Sequence, residues 1–355
     1  MGEATDFSYQ LFTIAELRDW LFHNVQNGLS DQVIARPRAL AIVNNPHALP
    51  DDPVVAVVFD GETKPVGYTA VFAEQWERPA LHDRFFWGST IWVDPKYRGK
   101  GVSRKMLGQI REGVSDRYIV TESSIASGRI NEKRGSVISY HPRYYILLDS
   151  LHNTIKSKLK SLCVRFSIKK VLKALAVYDY VNRYVNWIDD ETYSFIVAHS
   201  SRDLFLRKQD FLNWQLRNPF LIPTGNDGKL EEERCDFKGY VDKHQVIQVQ
   251  VLVQGKMCGY YALNVVDATS TVLYLYYEED LREQVFASLA TAVLERKDVV
   301  RFRSFNKELM DFLYGLGIKS MNSTDRAEQV SLIVPSGFEV DPSHCLQGGD
   351  GDMAC

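Results

Sequence analysis

No stretch of about 18 consecutive apolar residues occurs, so no segment is suited to cross a membrane as a helix. The start, MGEATDFSYQ, is acidic and carries no apolar run of the kind a secretion signal needs, which points to the cytoplasm. Cysteine is sparse: Cys163, Cys235, Cys258, Cys345 and Cys355 are odd in number and scattered. No CxxC pair or Cys/His cluster is present, which excludes a disulfide framework and a zinc site and leads to the expectation of reduced thiols and no metal. A basic excess is missing as well. Lys and Arg total 42 against 45 Asp and Glu, a net charge of −3, which argues against a dedicated nucleic-acid binder. Apolar residues are not in short supply. At 45 % hydrophobic and 12 % aromatic over 355 residues, the chain can build two cores of the size that ~150-residue domains carry.

Strands and helices alternate through the first half. Ile14, Leu17 and Leu21 fall at helical spacing within residues 14–26. Residues 54–59 and 66–73 read as strands around a DGETKP turn, and residues 84–93 as a longer strand stopped by Asp94-Pro95. A helix over 102–112, a strand over 118–121, a short helix over 126–134 and a strand over 144–148 complete the unit. Residues 150–185 read as a pair of amphipathic helices. Seven cations, Lys156, Lys158, Lys160, Arg165, Lys169, Lys170 and Lys173, are spread through them with no acidic residue between. A solvated basic face and a contact with an anionic membrane surface or a phosphorylated substrate are both open readings of this segment. The second half repeats the order: strands over 247–253, 257–265 and 272–277, a helix over 281–296, a strand over 299–303, a helix over 307–314 and a strand over 329–334. Gly67-Tyr68-Thr69-Ala70 parallels Gly259-Tyr260-Tyr261-Ala262, which points to an internal duplication. The tail over 336–355, rich in Gly, Asp and polar residues, is expected to be disordered.

The chemistry concentrates in Ile91 to Leu107, IWVDPKYRGKGVSRKML. A hydrophobic strand runs into a Pro turn, a basic Gly-rich loop and an amphipathic helix. Gly99 and Gly101 let backbone N–H groups approach a ligand closely. Arg98, Lys100 and Arg104 add positive charge at the helix N-terminus. The ligand this favours is a pyrophosphate. A phosphate-binding GxxxxGK[ST] loop is excluded, because Gly101 follows Lys100 and Asp94 stands where the first Gly belongs. A GxGxxG dinucleotide turn fails at Arg104.

These residues resemble the GNAT superfamily of acyl-CoA-dependent N-acyltransferases, whose loop reads [QR]xxGx[GA]. Here it is Arg98-Gly99-Lys100-Gly101-Val102-Ser103, with Ser103 in place of the final Gly or Ala. Ser124 to Ser136 resembles a second family element, N-x-A-S-x-R-x-x-E-K-x-G-F. The resemblance covers about residues 10–149. The implied fold is α/β (α+β): two GNAT-like domains, each a mixed, mostly antiparallel twisted sheet flanked by helices. The implied division is 1–149, a basic helical linker 150–192, a second unit 193–335 and the tail 336–355. The second unit looks degenerate, since Glu278, Glu279 and Asp280 replace its loop and would repel phosphate at a helix N-terminus. One acyl-CoA per chain is therefore expected. Arg207 to Pro219, RKQDFLNWQLRNP, is similar to a segment of two-domain GNAT proteins from polysaccharide gene clusters, including sugar-nucleotide N-acyltransferases.

The resemblance implies acyl transfer from CoA to a primary amine, with a nucleotide-linked amino sugar as the favoured acceptor. Trp92 and Val93 would flank the pantetheine. Val102, Ser103 and Arg104 would join Arg98 to Gly101 on the pyrophosphate, with Ser124 and Ser127 further along the cofactor. Glu122 and His141 are candidate bases, Tyr140 a candidate acid for the departing thiolate, and Arg207, Trp214 and Arg217 candidate acceptor contacts. Two other readings stand beside this one: a non-catalytic CoA-binding regulator, and a long-chain N-acyltransferase working at the membrane surface.

Overall fold

The computed structural model describes residues 7–30, 33–61, 64–78, 84–121, 132–133, 136–149, 155–218, 220–223, 240–321, 327–341 and 343–351. Twelve strands of one sheet are found among these residues: β1 (Phe7–Thr13), β2 (Pro53–Asp60), β3 (Lys64–Glu74), β4 (Phe85–Val93), β5 (Tyr118–Thr121), β6 (Val137–Leu147), β7 (Val181–Val185), β8 (His244–Val253), β9 (Lys256–Val266), β10 (Thr269–Tyr277), β11 (Arg301–Ser304) and β12 (Ala327–Val334). Their order across the sheet is β1-β2-β3-β4-β5-β12-β6-β11-β10-β9-β8-β7. Only β4–β5 and β10–β11 pair in parallel. The helices are α1 (Ile14–His23), α2 (Arg36–Val43), α3 (Val102–Gly113), α4 (Ile155–Leu175), α5 (Asp190–His199), α6 (Gln209–Arg217), α7 (Arg282–Leu294) and α8 (Lys307–Gly315).

Local sequence explains the main boundaries. Thr13 and Glu16 form a reciprocal capping box at the start of α1. Asn306 caps α8 by accepting from Leu309 N–H at 2.8 Å. Helix α3 buries Val102, Met106, Leu107 and Ile110 on the first unit's sheet beside Ala56, Val58 and Val66. Helix α7 buries Val285, Phe286, Leu289 and Val293 on the second.

The duplication extends to strand register. Gly67 lies opposite Val93 and Gly259 opposite Tyr277. Ala70 lies opposite Thr90 and Ala262 opposite Tyr274, and in both units a one-residue bulge comes next, at Ser89 and at Leu273. Both glycines lie under the first turns of the following helix. A Cβ on Gly67 would sit 3.1 Å from Val102 Cγ1, and one on Gly259 2.4 Å from Val285 Cγ2. The turns after the strands match too: Asp94 N–H donates to Val66 O and Glu278 N–H to Cys258 O, each at 2.9 Å.

Three expectations need correction. The strand placed at 144–148 does not close the first unit. It is the longer β6, paired on one side with β12 and on the other with β11 of the second half. Strand β12 in turn pairs with β5 of the first half, so the units exchange their last strands and a cut at residue 149 would divide one sheet. The basic segment is one helix, α4, and residues 181–185 then form the edge strand β7. The tail is ordered through residue 351, apart from Pro342, which lies outside the described residues. Leu204 N–H donates to Cys345 O at 3.0 Å, Gly349 N–H donates to Leu273 O at 3.0 Å, and Leu346 and Asp350 are buried. Polar composition misleads here because Asp350 has a buried cation, Arg207, to pair with. The helix expected over 126–134 falls almost entirely outside the described residues.

Candidate active site

Strands β4 and β5 pair only at Phe86 with Tyr118 and Trp87 with Ile119. Beyond the bulge at Ser89, β4 runs on to Val93 with no further pairing to β5 among the described residues. Arg38 holds the bulge, donating from Nη1 to Ser89 O at 3.2 Å. The half-buried Trp92 ring stacks on Tyr68, with centroids 5.3 Å apart.

The loop grows out of this strand end. Asp94 Oδ1 accepts from Lys96 N–H at 2.9 Å, fixing a single 3₁₀ turn over Pro95–Tyr97. Arg98 Nε donates to Val93 O at 3.0 Å and ties the loop back to β4. Gly99 and Gly101 have φ of +81° and +84°, and a Cβ at either would meet nothing within 4 Å. The backbone conformation, with no crowding, is therefore what calls for glycine. Gly101 is the N-cap of α3 and supplies no side-chain acceptor, so the first N–H groups of that helix have no capping side chain. Val102 is buried, Ser103 half-buried, and Arg98, Lys100 and Arg104 are exposed around the turn. Lys100 Nζ lies 4.9 Å from the Tyr97 ring centroid, close to the loop it serves. An uncapped helix N-terminus, two glycines and three exposed cations gather positive charge of the kind that can hold a diphosphate.

The other candidates are scattered. Glu122, Ser124 and Ser127 lie outside the described residues. Tyr140 and His141 are successive residues of β6, so they face opposite sides of the sheet. Tyr140 is 65 % exposed. His141 Nε2 lies 3.0 Å from Ser139 Oγ, and burial lowers its pKa. It faces a cavity of about 510 Å³ in the second unit, shared with Asp203 and Tyr276.

Arg207 does not line an open cleft, which corrects the sequence reading, whereas Trp214, though largely buried, borders the same surface groove as Arg217. Arg207 is 2 % exposed. It donates to Asp350, and its Nε lies 2.9 Å from Glu74 Oε1, off the line a hydrogen bond requires. Burial opposes the charge on Arg207, but Glu74, Tyr274 and Asp350 around it raise its pKa and keep it protonated. Burial raises the pKa of both carboxyl groups. Trp214 is buried against Phe72, Phe211 and Phe220, and its Nε1 donates to Ala41 O at 2.8 Å. Arg217 alone of the three is exposed, its guanidinium 5.1 Å from the Trp187 ring at the rim of a surface groove. Asp203, Glu74 and Asp350 went unnoticed in the sequence. None belongs to a local motif, and only the fold gathers them.

In the second unit the equivalent loop is absent. Residues Glu279–Leu281 form the matching 3₁₀ turn, but α7 begins at Arg282 with no glycine between. Lys256 pairs with Glu278 at 3.0 Å and Arg282 with Glu279 at 2.6 Å, so these cations are already occupied.

Residues 16–122 match the acetyltransferase (GNAT) family. No curated protein matches the sequence. Among solved structures, the fold is similar to Saccharomyces cerevisiae N-myristoyltransferase with bound myristoyl-CoA and inhibitors (TM-score 0.54, 11 % identity, 100 % of this chain and 86 % of that one). It is also similar to a putative acetyltransferase from Pyrococcus horikoshii (TM-score 0.50, 10 % identity, 99 % of each chain). A tandem GNAT protein from the clavulanic acid biosynthesis pathway aligns at TM-score 0.48 and 12 % identity over 94 % of this chain and 100 % of that one. Residues 16–122 thus match the GNAT family, and the whole chain folds as two GNAT-like units with a mostly antiparallel sheet.

Proposed function

We propose that this protein is an acyl-CoA-dependent N-acyltransferase that binds one acyl-CoA in its first unit and acylates a primary amine, with the amino group of a nucleotide-linked amino sugar as the favoured acceptor. The observation that carries this reading is the loop Arg98–Gly101 on the uncapped N-terminus of α3, next to the end of β4 that lies beyond its pairing with β5. The N–H groups of Val102, Ser103 and Arg104 and the side chains of Arg98, Lys100 and Arg104 would hold the pyrophosphate. Trp92 and Val93 would flank the pantetheine arm. Acyl-CoA supplies the activated thioester. A strand N–H near Val93, free of β5, would polarise the thioester carbonyl, worth about 3 kcal/mol for one good donor. Glu122, Tyr140 and His141 remain candidates for moving the protons. Mass spectrometry of products from the purified protein, given a panel of acyl-CoAs and nucleotide-linked amino sugars, tests the reading. Acyl transfer to an amine supports it, and CoA binding with no turnover on any amine favours a regulator.

A second reading, acylation at an anionic membrane surface, rests on α4. Among the described residues no helix is long and apolar enough to cross a membrane. Helix α4 nonetheless leaves Leu159, Leu162 and Phe166 at 61 %, 51 % and 64 % exposure beside Lys158, Lys160, Arg165, Lys169 and Lys170. Its opposite side, Val164, Val171 and Leu175, is buried. An apolar stripe framed by cations fits the headgroup region of an anionic bilayer.

A further inference from the structure

The end of β4 that lies beyond its pairing with β5 has a counterpart in the second unit. Strand β10 pairs with β11 only over Thr269 to Thr271 and then continues to Tyr277, while β11 ends at Ser304. Tyr276 and Tyr277 are the register equivalents of Trp92 and Val93. The gap between β10 and β6 is the cavity of about 510 Å³. Duplication has preserved the cleft, while substitution has reversed its electrostatics: where the first unit offers cations and helix N–H groups, the second offers Glu278, Glu279 and Asp280.

Asp203 lines this cavity and is 5 % exposed. Its carboxylate accepts from two neutral donors, Tyr276 Oη and Gln347 Nε2, both at 2.8 Å. No described cation is paired with it. Arg202 at the rim is paired with Glu308 at 2.8 Å, and Lys307 is paired with Asp311. Arg207, the nearest buried cation, is committed to Glu74 and Asp350. Histidine does not supply the missing charge at neutral pH from His141, since burial lowers its pKa. Arg207 thus serves two buried carboxyl groups, Glu74 and Asp350, and leaves the third, Asp203, without an ion-pair partner among the described residues. A buried carboxylate without a countercharge is costly, and burial pushes the Asp203 carboxyl up to about 7. Aromatic faces from Tyr276, Tyr277 and Phe305 complete the walls, surfaces that attract cations.

We propose that the second unit's cleft binds an organic ammonium ion, an amine joined to an apolar or ring-shaped body, with Asp203 as its counter-charge and the tyrosine-lined wall as the seat for its body. The proposal goes beyond acyl transfer and does not depend on it. A diphosphate is excluded from this cleft by its acidic turn, so the two duplicated clefts take ligands of opposite charge.

Calorimetry on the full-length chain tests this with tyramine and glucosamine as probes and their uncharged analogues, 4-ethylphenol and glucose, as controls. At least one amine should bind with one-to-one stoichiometry, and its analogue should show no binding. Asp203→Asn should weaken that amine about ten-fold or more, the size of a lost charge-assisted hydrogen bond. Tyr277→Leu, which leaves Asp203 in place, should weaken it several-fold, and neither variant should alter CoA binding. The proposal is overturned if neither amine binds, if an analogue binds as tightly as its amine, or if Asp203→Asn binds as wild type does. A loss of CoA affinity in the wild-type chain would count against the acyl-CoA site alone.

Discussion

Arg207 and Asp350 meet across 143 residues of sequence in an ion pair whose two side chains are each 1 % exposed. Glu74, fully buried, approaches the same guanidinium from β3. The cluster joins a first-unit strand, the segment before α6 and the C-terminal tail. With two acids on one base, its members are not equivalent. Arg207→Met would leave two buried carboxyl groups facing one another and should cost about 3–5 kcal/mol. Asp350→Asn would leave a balanced Arg207–Glu74 pair and should cost about 1 kcal/mol. Urea unfolding of the two variants gives the order. If Arg207→Met unfolds like wild type and raises an acceptor KM instead, Arg207 is a binding residue after all.

The contribution of Asp203 to stability should fall as pH rises from about 4 to about 7. Its folded pKa of about 7 lies above its ordinary value of 3.8, so the native state holds this proton more tightly than the unfolded chain does. The contribution is complete below the unfolded value and is lost as pH climbs through the folded one. Asp203→Asn has no proton to lose and should show a flatter profile across that window, overtaking wild type relative to its own acid-side stability. Chemical denaturation at several pH values for both proteins measures the difference. Parallel curves would mean that Asp203 is already ionised and compensated in the fold.

Much of this architecture was legible from periodicity. The strand over 118–121 and the helix beginning at Val102 fall where apolar spacing places them, because each buries its own alternating or helical face locally. The shape of the loop over Arg98–Gly101 was legible because glycine at positive φ and clustered cations are written directly into adjacent residues. The exchange of β6 and β12 was not, since either strand satisfies the same local pattern whichever neighbour it pairs with. The Arg207 cluster was hidden for a related reason: it joins residues 74, 207 and 350, and each looks like an ordinary surface charge alone. The tail composition suggested disorder because composition does not reveal a waiting buried partner.

Gly101→Glu should abolish CoA binding and leave the fold intact. An added Cβ would meet no described atom within 4 Å, and the strain of a positive φ costs only about 1–2 kcal/mol. What the carboxylate does occupy is the mouth of the α3 N-terminus, where a diphosphate would sit. Calorimetry should give one CoA per wild-type chain and no heat for the variant, whose melting temperature falls by only a few degrees. Unchanged affinity would remove the loop from the binding site. Two equivalents of similar affinity would contradict the loss of the loop in the second unit.

Helix α4 provides the last test. Leu162 and Phe166 are one turn apart and both more than half exposed, so changing them should leave the second unit's core untouched. Each would regain about 1.5 kcal/mol on entering a bilayer interface, and the surrounding cations would each add up to about 1 kcal/mol on an anionic surface. Wild-type protein should therefore co-sediment with vesicles of phosphatidylcholine containing phosphatidylglycerol, weakly with phosphatidylcholine alone, and less at high salt. The double variant Leu162→Glu, Phe166→Glu should lose about 100-fold in partitioning, because two apolar contacts are removed and two repelled charges installed. Its melting temperature should match wild type. Equal sedimentation of both proteins, or none of the wild type on anionic vesicles, would leave α4 as a solvated helix and remove the membrane-surface reading.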